Sequence, residues 1–93
     1  MLDNGCWGAE KAYQRDFYDE RFIGSDIMNP QFSDVAELCG ARGYKVTAPG
    51  ELSESLLAAI SSQEPSVIHV KVDPDALISF RRDSFQHRVS QKV

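Results

Sequence analysis

The apolar positions of the chain follow two rhythms. Ala9, Tyr13 and Phe17 recur at i, i+4 and i+8, with Ala12 flanking them and Lys11, Arg15 and Asp16 facing elsewhere. This spacing predicts a helix from about Trp7 to Tyr18. Residues 19–24 leave that helix and break at Gly24. Phe32, Val35, Ala36 and Cys39 recur at i, i+3, i+4 and i+7 behind Asn29-Pro30. That pattern predicts a second helix with Asn29 as N-cap, Pro30 in its first position and Gly40 as a left-handed stop. Pro49 is placed to open a third helix whose apolar face is Leu52, Leu56, Ala59 and Ile60, ended by residues 61–65.

The other rhythm is that of strands. Val67-Ile68-His69-Val70-Lys71-Val72 is β-branched and partly alternating, so residues 66–72 predict a strand with Ile68, Val70 and Val72 on one face. Asp73-Pro74 stops it. Tyr44-Lys45-Val46 is a short strand, and Met1-Leu2 the stub of another that ends at Asp3-Asn4-Gly5. From Asp75 onward nothing periodic survives. The alternation implies an α/β fold, a partial parallel sheet flanked by helices. Two complete strands are too few for a sheet. The chain therefore reads as the C-terminal segment of a larger α/β domain, with residues 1–74 in the domain and residues 75–93 as a tail.

Composition narrows the classes. Hydrophobic residues make up 42% and charged residues 26% of 93, which suits one small folded domain and argues against disorder. The net charge of −4 excludes a nucleic-acid binder working through bulk positive charge. The tail differs in character: residues 71–93 carry five basic and three acidic side chains, against five and eleven before them. The longest apolar run, Leu56 to Ile60, falls far short of the roughly 20 residues that span a bilayer. Two cysteines make no disulfide framework, and no basic leader precedes an apolar stretch. A reduced, cytoplasmic setting is expected, with the thiols packed or idle.

In open α/β sheets, ligands bind beyond the carboxyl ends of the strands, where loops turn into helices. Residues 3–8, Asp-Asn-Gly-Cys-Trp-Gly, occupy such a place. Asn4 offers a neutral amide oxygen suited to a hard cation. Gly5 and Gly8 let the backbone bend and approach a ligand, and the following helix start presents free N–H groups to an anion. The plainer alternative makes Asn4-Gly5 a turn and Trp7 core. His69 is expected to be a packed or hydrogen-bonded structural histidine, and His87 to face water. Arg81-Arg82 could grip a sulfonate or phosphate by forked hydrogen bonds, or belong to a solvated basic tail.

The run from Asp3 to Lys11, continued by Gln14, Asp16-Phe17-Tyr18-Asp19, Arg21-Phe22 and Gly24, resembles the end of the thiamine-diphosphate motif. That motif opens with Gly-Asp-Gly and closes with an Asn pair, here Asp3-Asn4. Asn29-Pro30-x-Phe32 with Leu38 and Gly40 is similar to the same domain of the acetolactate synthase superfamily. Trp7 to Lys11 and Phe80-Arg81-Arg82-Asp83 are most similar to the sulfoacetaldehyde acetyltransferases within it. The resemblance implies that Asn4 (side chain) and Cys6 (backbone carbonyl) coordinate Mg²⁺. It places Gly8 and Ala9 against the thiamine diphosphate, and gives Glu10 the position of a catalytic glutamate. A solvated first-turn glutamate is the alternative for Glu10.

The same resemblance implies a transferase that turns sulfoacetaldehyde and phosphate into acetyl phosphate and sulfite. Condensation of 2-oxo acids is the runner-up, and a non-catalytic truncated or assembly module a third reading. The Gly-Asp-Gly half and the pyrimidine-binding domain are absent from these 93 residues. The segment is thus expected to be inactive alone, with the remainder of the enzyme as its partner in a homo-oligomer, and with neither membrane nor nucleic acid among its partners. Asp3 in place of the first Asn is expected to be tolerated, because the second Asn is the ligand.

Overall fold

The chain alternates between the two secondary structures in the order the patterning implies. The computed structural model describes residues 1–79, so Arg81, Arg82 and His87 lie outside the described residues. The elements are β1 (Leu2–Asp3), α1 (Gly8–Phe17), α2 (Phe32–Leu38), β2 (Arg42–Val46), α3 (Pro49–Ser62) and β3 (Ser66–Lys71). They divide between two units: residues 1–5 with 28–73, and residues 6–27 with 74–79.

The first unit is a three-stranded sheet in the order β1-β3-β2, parallel throughout. Parallel neighbours need a crossover, and α3 supplies it between β2 and β3. Register decides the faces. Leu2 pairs with Val70 and Asp3 with Lys71, while Tyr44 pairs with Ile68 and Val46 with Val70. Side chains alternate along each strand, so Leu2, Tyr44, Val46, Ile68 and Val70 share one face. Asp3, Gly43, Lys45, His69 and Lys71 share the other.

On the first face, Leu2, Val46, Val70 and Val72 meet Pro49 and Leu52 of α3 around a cleft of about 390 Å³ at the carboxyl edge of the sheet. The second face lies under α2. Gly43 sits so close to α2 that a Cβ there would stand 2.0 Å from the Ser33 carbonyl oxygen. Only a residue without a side chain permits that approach. Gly40 closes α2 at φ +82°, as expected from the sequence.

The helices depart from the pattern in instructive ways. α2 begins two residues later than Asn29-Pro30 implies, with Gln31 as N-cap. Asn29 is not a cap, because its amide is drawn to the carboxylate of Asp3 instead. In α3, Leu52 and Ala59 are half-buried, whereas Leu56 and Ile60 stay 45% and 72% exposed. β3 ends one residue before Val72.

In the second unit, α1 matches its expected span to within a residue, with Trp7 and Tyr18 as its caps. Tyr13 and Phe17 pack with ring centroids 6.2 Å apart. Within α1 the buried position is Ala12. The charged residues beside it are not turned away either: Lys11 pairs with Asp26 at 2.6 Å and Asp16 with Arg15 at 2.9 Å. Pairing lets their side chains lie mostly covered. No helix among the described residues is long and apolar enough to cross a membrane.

Candidate functional site

Parallel pairing brings three chain-distant residues to one point. Asp3 ends β1 opposite Lys71, and His69 lies two residues earlier on the same face of β3. Lys71 Nζ donates to Asp3 Oδ2 at 2.7 Å, and His69 Nε2 approaches the same oxygen at 2.6 Å. The other oxygen, Oδ1, accepts the Asn29 amide at 2.8 Å and the Gly5 backbone N–H at 2.9 Å. Asp3 is only 4% exposed, and a carboxylate is buried cheaply only when it is fully hydrogen-bonded. Lys71 first, then His69, Gly5 and Asn29, hold its carboxyl well below the usual carboxylate range, against the opposing effect of burial.

The neighbours of His69 fix its protonation. The Phe32 backbone N–H donates to His69 Nδ1 at 3.0 Å, and the Gln31 amide nitrogen faces the same atom at 2.9 Å. Both are donors, so Nδ1 carries no proton, and Nε2–H donates to Asp3. The ring is fully buried and meets Phe32 edge-on at 5.2 Å. His69 is thus the hydrogen-bonded structural histidine expected from the sequence.

Asn4 sits at the centre of the turn that these contacts close. The Asp3 carbonyl accepts Val72 N–H at 3.0 Å, anchoring the near side. The Asp3 side chain reaches across Asn4 to the Gly5 N–H, and Gly5 takes φ +68°, which favours glycine. The turn lies at the carboxyl end of β1, and Asn4 is half-buried there.

Cys6, Gly8, Ala9 and Glu10 belong to the second unit. Cys6 is half-buried and forms an isolated antiparallel bridge with Asp26. Gly8, Ala9 and Glu10 make the first turn of α1, whose N-cap Trp7 contributes no side-chain hydrogen bond. Trp7 has no side-chain oxygen to offer the N–H groups of that turn. Glu10 is exposed and lines a cleft of about 460 Å³ with Tyr13, Gln14, Tyr18, Arg21 and Ile23. Gln14 donates to the Ile23 carbonyl at 2.9 Å, while its Oε1 is buried without a partner. Lys11, held to Asp26, has its pKa raised by that hydrogen bond.

The amide of Asn4 is of the donor class that suits a hard cation such as Mg²⁺. Asn4 supplies a neutral hard oxygen, whereas the oxygens of Asp3 are engaged by four donors. Among the described residues, no group of three His, Cys, Asp or Glu could hold a metal ion. A helix start is in general a favourable seat for phosphates.

Comparison with known proteins points the same way. The family model for the C-terminal TPP binding domain of thiamine pyrophosphate enzymes matches residues 1–70. A sulfoacetaldehyde acetyltransferase of Alcaligenes xylosoxydans xylosoxydans is 34% identical over 93 residues, 96% of this chain and 15% of its own length. A probable sulfoacetaldehyde acetyltransferase of Rhizobium meliloti is 33% identical, over 97% of this chain and 16% of its own. The acetolactate synthase large subunit of Parasynechococcus marenigrum is 36% identical over 77% of this chain and 12% of its own. The chain thus spans about 15% of the length of the curated relatives it matches.

Proposed function

The chain belongs to the thiamine pyrophosphate enzymes, as part of their C-terminal TPP binding domain, and on that premise we propose that it supplies one half of a magnesium–thiamine diphosphate site to a larger acyl-transferring enzyme. The observation that carries the reading is the closed turn Asp3-Asn4-Gly5 at the carboxyl end of β1. In this reading Asn4 holds Mg²⁺ by its side chain and Cys6 by its backbone carbonyl. Gly8 and Ala9 hold the diphosphate at the start of α1, and Glu10 is the catalytic residue. Thiamine diphosphate, when bound, supplies the nucleophilic carbon and electron sink that acyl transfer requires.

The favoured reaction is that of a sulfoacetaldehyde acetyltransferase, supported by relatives of that name aligned along almost the whole chain. A second reading, acetolactate synthesis, rests on the 36% identity to an acetolactate synthase large subunit. Assay of the full-length enzyme carrying this segment separates them. Sulfite release with acetyl phosphate formation supports the first, and acetolactate from pyruvate the second. In the same enzyme, Asn4→Ala should raise the Mg²⁺ requirement on the order of tenfold or more. An unchanged requirement would remove Asn4 from the ligand set. The 93-residue chain titrated with thiamine diphosphate and Mg²⁺ is expected to bind weakly or not at all, since the other half of the site lies on the rest of the enzyme. A cytoplasmic homo-oligomer completes the proposal.

A further inference from the structure

The contacts around Asp3 do more than neutralise a buried charge. Asn29 approaches from the segment before α2, His69 and Lys71 from β3, and Gly5 from the far side of the turn. Both oxygens of the carboxylate are used, each twice. Rotation of the Asp3 side chain away from Gly5 would break contacts with His69, Lys71 and Asn29 at once. His69 is itself held at its other nitrogen by the first turn of α2, so the chain of contacts runs from α2 through the imidazole and the carboxylate to the Gly5 N–H.

We propose that His69, Lys71 and Asn29 act through Asp3 as a positioning clamp that presets the turn bearing Asn4. The inference rests on the reading of Asn4 as a metal ligand and deepens it: Asn4 needs a fixed backbone to present its amide oxygen before cofactor arrives. Pre-setting a ligand through its neighbours lowers the ordering that binding must otherwise impose. Asp3 suits the task better than Asn, because a carboxylate accepts from four donors while an amide offers one acceptor oxygen. Neither His69 nor Lys71 touches metal or cofactor in this scheme; both are positioning residues.

Hydrogen exchange of the metal-free chain followed by NMR tests the clamp. In His69→Phe the Gly5 amide should exchange at least about tenfold faster, the loss expected of a buried hydrogen bond to a charged group. The amides of Tyr44 and Val46 in β2 should keep their protection. His69→Gln, which retains a donor, should recover part of the Gly5 protection. Lys71→Met removes a partly exposed group and keeps the core intact if His69→Phe fails to fold. It should speed Gly5 exchange by about threefold. The ¹⁵N spectrum of the imidazole should show the proton on Nε2. Gly5 exchange unchanged in a folded variant, or a proton on Nδ1, would overturn the clamp. The measurement uses no metal, so its failure is separate from failure of the Asn4 reading, which the Mg²⁺ requirement of Asn4→Ala decides.

Discussion

Gly43 is the position where one methyl group should do most damage to the sheet. Its Cβ would lie 2.0 Å from the Ser33 oxygen, 2.6 Å from the Ser33 carbonyl carbon and 2.9 Å from its Cα. All three are backbone atoms, so no rotamer change relieves the clash. Ordinary contact begins near 3.5 Å, so α2 must lift from β2 by roughly 1 Å or more. Overpacking of this kind costs about 1–3 kcal/mol. The displacement also pulls at Gln31 and Phe32, which hold His69 Nδ1 at 2.9 and 3.0 Å. Weakening a buried hydrogen bond adds about 1–3 kcal/mol. For a domain of this size, a total near 2–6 kcal/mol lowers Tm by roughly 10–50 °C. Gly50 in α3 is the control, because a Cβ there meets nothing within 4 Å. Gly50→Ala should raise stability by up to about 1 kcal/mol. Thermal unfolding by circular dichroism reads both. A Gly43→Ala chain that melts within a few degrees of the parent would mean that α2 does not rest on this strand.

Three further outcomes follow from the same geometry. Asp3 stays ionised in the folded chain well below its ordinary range, so in acid the unfolded chain binds more protons. Its contribution is complete above about pH 5 and drains away as pH falls further. The urea midpoint of the parent should therefore drop more steeply between about pH 5 and 2.5 than that of Asp3→Asn, and parallel curves would contradict the network. Arg42 and Glu64 form an ion pair between side chains 57% and 53% exposed. Arg42→Gln should change the free energy of urea unfolding by less than about 1 kcal/mol, and a larger loss would show the pair to be shielded from water. Leu57 on α3 is 66% exposed, so Leu57→Gln should shift the chain's stability by no more than about 0.5 kcal/mol. A loss above about 2 kcal/mol would reveal a surface packed against another copy.

Periodicity carried most of the architecture. α1, α3 and β3 end within two residues of where their patterns place them, because each has a clear spacing and a turn residue at its stop. α2 starts late because Asn29, a good cap by type, has a stronger partner in a buried carboxylate some 26 residues away. Local propensity carries no signal for such a partner. The apolar face expected on α3 remains half open: a face needs something to lie against, and spacing does not say what. In the candidate site, Asn4 was legible as an amide at the end of a strand and Gly5 and Gly8 as residues that let the backbone bend before a helix, whereas Ala9 entered only through the family resemblance. The network behind them was not. The signals were there in part, an Asp before Asn-Gly and a His inside a β-branched run. Joining them required the register of β1 on β3, which places Asp3 and Lys71 side by side. Sequence alone fixes no register between strands 68 residues apart.

The same separation has a kinetic meaning. β2, α3 and β3 follow one another directly, so their pairing closes only short loops. The link from Asp3 to His69 joins positions 66 residues apart. Non-local pairing forms late, after local contacts have limited the entropy still to be lost. β1 is therefore expected to dock after β2 and β3 have paired, with the turn beyond it forming last. Weakening that junction should hasten unfolding and leave the folding rate almost untouched.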